Sequence, residues 1–281
     1  MASPPIEADL EGNSPLGQPE GAGGSDDSGA KMSFFDHLNE LRKRIIYSAA
    51  AILLGAFVGF AIAKPVLNFV ARPMVSALSN AHLQDKLIFT HPAGYLNLVL
   101  TLGLYMGVAL ASPYVLYQIW LFIAPGLYKH EKKAVAAFIG PSVLLFFTGI
   151  VFAYYVILPY LMKFLVTFQG NGPFTPLISA EEYFDLLLIV LLGVGVVFEL
   201  PMLIYVLSLF GIVTPKFLLK NFRYAILIIA IVAAIITPTP DAMTMLVFMG
   251  PMILLYVIGI GVSWFVMRSK LRAAIAKARN S

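Results

Sequence analysis

The 281-residue chain contains no cysteine, which excludes disulfides, thiolate catalysis and cysteine-based metal sites but identifies no compartment. Charge is scarce as well: Asp, Glu, Lys and Arg make up 12% of the residues, against 59% that are hydrophobic. Soluble domains carry about twice that charged share. The four histidines, His37, His82, His91 and His130, are scattered over three polar segments with no spacing that holds a metal. There is no nucleophile elbow, zinc-protease motif or ATP-binding loop. Gly193-Val194-Gly195 begins like a dinucleotide fingerprint, but it lies in an apolar helix, follows no strand and lacks the third glycine.

What the chain does have is long apolar runs. They cover residues 45–63, 95–119, 134–158, 184–210, 224–236 and 243–267, against the ~20 residues that a bilayer core requires. The pattern predicts an all-α, polytopic membrane protein with six spans. The run 224–236 is too short for an ordinary bilayer, so it and its successor form either an undersized helical hairpin or a re-entrant dip from one side. Gly55 with Gly59, and Gly103 with Gly107, have the small-xxx-small spacing that lets helices pack closely.

Basic residues set the orientation, because cytoplasmic loops carry the excess. With both termini inside, the inner segments hold Lys31, Arg42, Lys43, Arg44, Lys129, Lys132, Lys133, Lys216, Lys220, Arg223, Arg268, Lys270, Arg272, Lys277 and Arg279. The outer segments hold only Lys64, Arg72, Lys86 and Lys163. Residues 1–31 are rich in Gly, Pro, Ser and acids, lack the apolar core of a signal peptide, and read as a disordered cytoplasmic tail. The spanning domain then covers 32–268, and 269–281 form a basic cytoplasmic tail. A basic inner face points to anionic lipid, not nucleic acid.

Three acids stand out. Ser33 and Asp36 have capping-box spacing, and Phe34, Leu38, Leu41 and Ile45 recur at helical spacing, predicting an amphipathic helix on the inner interface before the chain enters the membrane. Its polar side carries Glu40 one turn from Arg44, either a local pair worth ~0.2–0.5 kcal/mol or part of a site. Glu131 lies among Lys129, His130, Lys132 and Lys133, after Trp120 and Phe122, which belong at headgroup level, and after the Pro125-Gly126 break. It is either a solvated loop acid or an interfacial carboxylate placed to receive a guanidinium fork. Glu199, in Phe198-Glu199-Leu200-Pro201, sits deep in the fourth run, where a charge costs ~2.5–3.5 kcal/mol and faces protein or a watery recess. Pro201 is expected to kink that helix. Asp241, in the turn TPTPD, caps the helix that follows.

These motifs together resemble the TatC family, the membrane receptor subunit of the twin-arginine protein translocase. The resemblance covers about residues 32–268 and rests on FFDHLNELRKR (residues 34–44), WLFIAPGLYKHEKK (120–133), FELP (198–201) and TPTPD (237–241), with Pro73 matching a family proline. The extension at 1–30 lies outside the family core, and TPTPD differs by one step of spacing.

The resemblance implies a concave, glove-like bundle of six helices with the last two short. It implies that the acids at Glu131 and Glu40, with the aromatic at Phe122 and flanking Arg44, Leu127, Tyr128 and Lys129, bind the paired arginines of a folded cargo's signal peptide. Glu199 is implied to be a polar group on the concave face, and Asp241 belongs to an outer turn. The implied partners are twin-arginine signal peptides and the single-span subunits TatB and TatA. The implied location is the bacterial cytoplasmic membrane, the energy source is the proton-motive force, and neither catalysis nor a cofactor is implied. An ion-coupled transporter would show broken helices or related halves around a midplane site, and an intramembrane hydrolase would need a nucleophile with a base or paired aspartates at depth. Neither pattern is found in the sequence.

Overall fold

A computed structural model of the chain describes residues 34–81, 87–123, 132–170, 177–237 and 241–279. The chain divides into two compact units, Met1–Asn39, described only over the start of one helix, and Glu40–Ser281, which holds the helical bundle. Among the described residues the secondary structure is helical apart from an isolated bridge between Ile88 and Ser179. Among the described residues five stretches are long and apolar enough to cross a membrane: His37–Ala61, Gly94–Ile123, Phe138–Thr167, Ala180–Leu209 and Ala242–Ala276.

Helix α1, Phe34–Ala61, is one continuous element. The amphipathic stretch and the first apolar run, expected as an interfacial helix followed by a span, are not separated. No Gly or Pro interrupts the sequence before Gly55, so nothing breaks the hydrogen-bond ladder. The Ser33 to Asp36 capping box lies outside the residues whose side chains are described. Two short helices follow, α2 at Ala63–Val70 and α3 at Arg72–Asn80.

Helix α4, Gly94–Ile123, packs on α1 through the paired glycines. A Cβ on Gly55 would lie 2.7 Å from the Gly107 carbonyl oxygen, and one on Gly59 would lie 2.6 Å from that of Gly103. In lipid, where apolar burial drives little association, such backbone proximity holds helices together by packing. Pro113 inside α4 leaves the Ala109 carbonyl without its helical donor. Ser112 Oγ donates to that carbonyl across 2.8 Å, so the helix continues unbroken.

The third span is α5, Lys132–Phe152, a π turn at Ala153–Ile157, and α6, Leu158–Gly170. Pro159 has no N–H for the carbonyl one turn back, and the wider π turn sits directly before it. The fourth span is α7, Ala180–Val197, and α8, Leu200–Leu209. The interruption at Phe198-Glu199 lies just before Pro201, which has no N–H for the carbonyl one turn back. The main core joins these spans around Leu102, Leu158, Leu161, Met162, Leu187 and Val190.

Thr214 caps α9, Pro215–Lys220, by accepting from Phe217 N at 3.2 Å. Helix α10, Phe222–Ile236, has 15 residues, about 22 Å of helix against a hydrocarbon core of about 30 Å. Helix α11, Ala242–Arg279, has 38 residues. The expectation that both of the last two helices are short therefore needs correction: α10 is short and α11 is not. No Pro or Gly follows Gly261, and the helix-forming run Leu271-Arg272-Ala273-Ala274-Ile275-Ala276 carries α11 through most of the segment read as a basic tail.

Candidate functional site

Two buried polar side chains stand on the last turns of α4. Gln118 and Trp120, 5% and 4% exposed, sit two positions apart and so leave the helix on different sides. One reaches toward α1 and the other toward α5 and α8.

On the α1 side, Arg44 Nε donates to Glu40 Oε1 across 3.1 Å, and Arg44 Nη2 contacts the same oxygen. Arg44 Nη1 donates to Gln118 Oε1 at 3.0 Å. The guanidinium has no acceptor of its own, so Gln118 must present its carbonyl oxygen. The Glu40 and Arg44 side chains are each 20% exposed. On an isolated helix a pair of this spacing contributes only a few tenths of a kcal/mol. Its consequence is geometric. One oxygen of Glu40 is held, while Oε2 is buried with no partner among the described residues. A buried acceptor in that state costs ~1–3 kcal/mol until a donor arrives.

On the other side, Trp120 Nε1 donates to Ser142 Oγ at 2.7 Å, and Ser142 Oγ donates in turn to Glu199 Oε2. Trp120 was expected at headgroup level. It lies one turn from the end of α4 and is buried against the bundle, where its indole N–H finds a partner. Glu199 stands at the N-cap position of α8, at the Pro201 break, and its Oε1 is buried and unpartnered among the described residues. Glu199 is the acid in the lining of an otherwise apolar recess of about 460 Å³, walled by residues such as Ser112, Leu116, Phe146, Leu203, Ile229 and Met252. The acid expected deep in the fourth span thus occupies a recess between helices.

Asp241 Oδ1 accepts from Thr244 N at 2.7 Å, the geometry of an N-cap on α11. Phe122 is half-buried near the end of α4. Glu131, Leu127, Tyr128 and Lys129 lie outside the described residues. Sequence reading did not single out Gln118 or Ser142. Each was visible as a lone polar residue in an apolar run, the signal that intramembrane polar groups give. No group of His, Asp and Glu able to hold a metal occurs among the described residues.

The sequence profile described as "Sec-independent protein translocase protein (TatC)" matches residues 36–251. The chain belongs to the TatC family. It is 46% identical over 235 residues to the Sec-independent protein translocase protein TatC of Koribacter versatilis, covering 84% of this chain and 86% of that one. It is 35% identical over 240 residues to the TatC of Aquifex aeolicus, covering 85% and 98%. Among solved structures, a crystal structure of the twin-arginine translocase receptor TatC superposes with a TM-score of 0.71 at 36% identity, covering 82% of this chain and 99% of that one. This member of the family is accordingly a multi-pass membrane protein and a subunit of the Sec-independent protein translocase, a transport protein rather than a catalyst.

Proposed function

We propose that this TatC protein is the receptor that reads twin-arginine signal peptides on folded cargo at the cytoplasmic face of the bacterial inner membrane. The observation that carries the reading is Glu40: one oxygen is fixed by Arg44, while Oε2 is buried and without a donor among the described residues. Such a carboxylate is oriented before the ligand arrives, and a guanidinium fork completes it where an ammonium would bring charge without the planar match. Glu131 supplies the second carboxylate, one for each arginine, with Phe122, Leu127, Tyr128 and Lys129 flanking it. The basic bias of the inner segments supports six spans with both termini in the cytoplasm, α10 being the short fifth. On this reading residues 1–31 form a cytoplasmic tail outside the spanning domain.

Transport proceeds with single-span partners of the TatA and TatB type, driven by the proton-motive force. The short α10 thins the bilayer beside it and lowers the barrier to a folded passenger. Glu199, in its apolar recess, acts after recognition by meeting polar groups of the signal peptide or partner helices. The test is uptake of a folded reporter with an Arg-Arg signal into inverted membrane vesicles carrying wild type, Glu40→Ala or Glu131→Ala. Loss of uptake in both variants, with normal levels of the protein in the membrane, supports the receptor reading. Uptake at the wild-type rate in both overturns it.

A further inference from the structure

At the end of the bundle where α2 and α3 lie, a pocket of about 710 Å³ shares no lining residue with the polar groups around Glu40 and Glu199 described above. Its lining includes two cations, Arg72 at the start of α3 and Lys163 on α6, together with Ser76, Asn80 and Thr167. Among the described residues no carboxylate lines it and neither cation is ion-paired. The Arg72 guanidinium lies 5.3 Å from the centroid of the Phe69 ring, and Phe69 stacks on Tyr154 with centroids 4.7 Å apart. A guanidinium resting on an aromatic face keeps its N–H edge available for an oxyanion.

A second cavity, of about 400 Å³, shares Phe69, Tyr154 and Tyr155 with the first. The rest of its lining is aliphatic or aromatic, including Val66, Leu102, Met106 and Leu192. A cationic, hydroxyl-bearing pocket therefore adjoins an apolar groove on spanning helices across three aromatic side chains. Each half answers to one half of an amphiphile.

We infer that the two cavities form a binding site for one anionic phospholipid. Its phosphate is held by Arg72 and Lys163, with Ser76, Asn80 and Thr167 able to donate to the remaining oxygens, and one acyl chain occupies the groove between α2, α4 and α7. A zwitterionic lipid would bring an ammonium beside two cations with no carboxylate to receive it. A soluble phosphate would leave the groove unused. The site stands independently of the signal-peptide reading.

The experiment is native mass spectrometry of the full chain in detergent, titrated with dioleoyl phosphatidylglycerol, dioleoyl phosphatidylcholine or glycerol 3-phosphate. The expected result is selective retention of phosphatidylglycerol. Arg72→Gln or Lys163→Gln alone should weaken it about fivefold and the double variant roughly thirtyfold, as two interfacial cations imply. Val151→Trp, on an exposed position of the groove wall, should weaken it with both cations intact, and Leu192→Phe is the second variant if the first does not fold. Equal binding of the two lipids, or unchanged phosphatidylglycerol binding in the double variant, overturns the site. Glycerol 3-phosphate displacing the lipid at equal concentration, with no effect of the groove variants, overturns the lipid assignment.

Discussion

Tyr154 donates its hydroxyl hydrogen to the Phe69 carbonyl oxygen across 2.7 Å, a carbonyl that also accepts a backbone N–H where α2 ends and whose donor one full turn on is replaced by Pro73. The chain turns from α2 into α3 at this point, and a neighbouring tyrosine adds a second hydrogen bond to the carbonyl. Tyr183 does the same for the next carbonyl, that of Val70, at 2.9 Å. Two tyrosines from the third and fourth spans thus tie down the two short helices.

Tyr154→Phe should destabilise the protein by about 0.5–1.5 kcal/mol, the net worth of one hydrogen bond. Restoring the backbone donor with Pro73→Ala should shrink that loss, because residue 73 can then serve the carbonyl itself. A double-mutant cycle of unfolding in detergent reads the coupling; strictly additive losses would refute the link.

The glycine contacts between α1 and α4 predict an asymmetric pair of outcomes. A Cβ at Gly107 would lie 2.6 Å from Ala56 N and 2.7 Å from the Ile52 carbonyl oxygen, whereas one at Gly140 meets nothing within 4 Å. Gly107→Ala should therefore cost about 1–3 kcal/mol through forced backbone separation. Gly140→Ala should be neutral or stabilise by up to about 1 kcal/mol through helix propensity. Thermal unfolding of both variants decides, and equal melting temperatures would contradict the packing.

Glu199 and Ser142 should behave as one unit. Glu199→Ala is expected to leave signal-peptide affinity within about twofold while slowing transport, since the acid is placed in the recess and not at the Glu40 pair. Ser142→Ala removes the donor to Glu199 Oε2 and should slow transport in the same direction, with the double variant no slower than Glu199→Ala alone. Normal transport in Glu199→Ala would defeat the assignment.

The spans were legible because an apolar run of about 20 residues matches the thickness of a bilayer core, and soluble helices rarely sustain one. The α7–α8 break was legible because Pro201 acts locally on its own helix. The close approach of α1 and α4 could be read from glycine spacing. The partners of the buried polar groups could not, because Gln118 meets Arg44 across 74 positions and Ser142 meets Glu199 across 57. Nothing local in the sequence encodes such pairings. The partner of Trp120 was hidden for the same reason, since its Ser142 acceptor lies 22 positions away. The length of α11 was missed because hydropathy ends with the apolar run, whereas helix propensity does not.

The central claim is that Glu40 and Glu131 read paired arginines as forks. The direct measurement is the affinity of the purified protein in nanodiscs for an Arg-Arg signal peptide and its Lys-Lys counterpart, with wild type, Glu40→Ala and Glu131→Ala side by side. The account predicts that wild type prefers Arg-Arg and that each substitution weakens its binding roughly 10- to 100-fold, the loss of one charge-assisted pair worth ~1.5–3 kcal/mol, with the preference collapsing. Equal affinity of both peptides for all three proteins would contradict it.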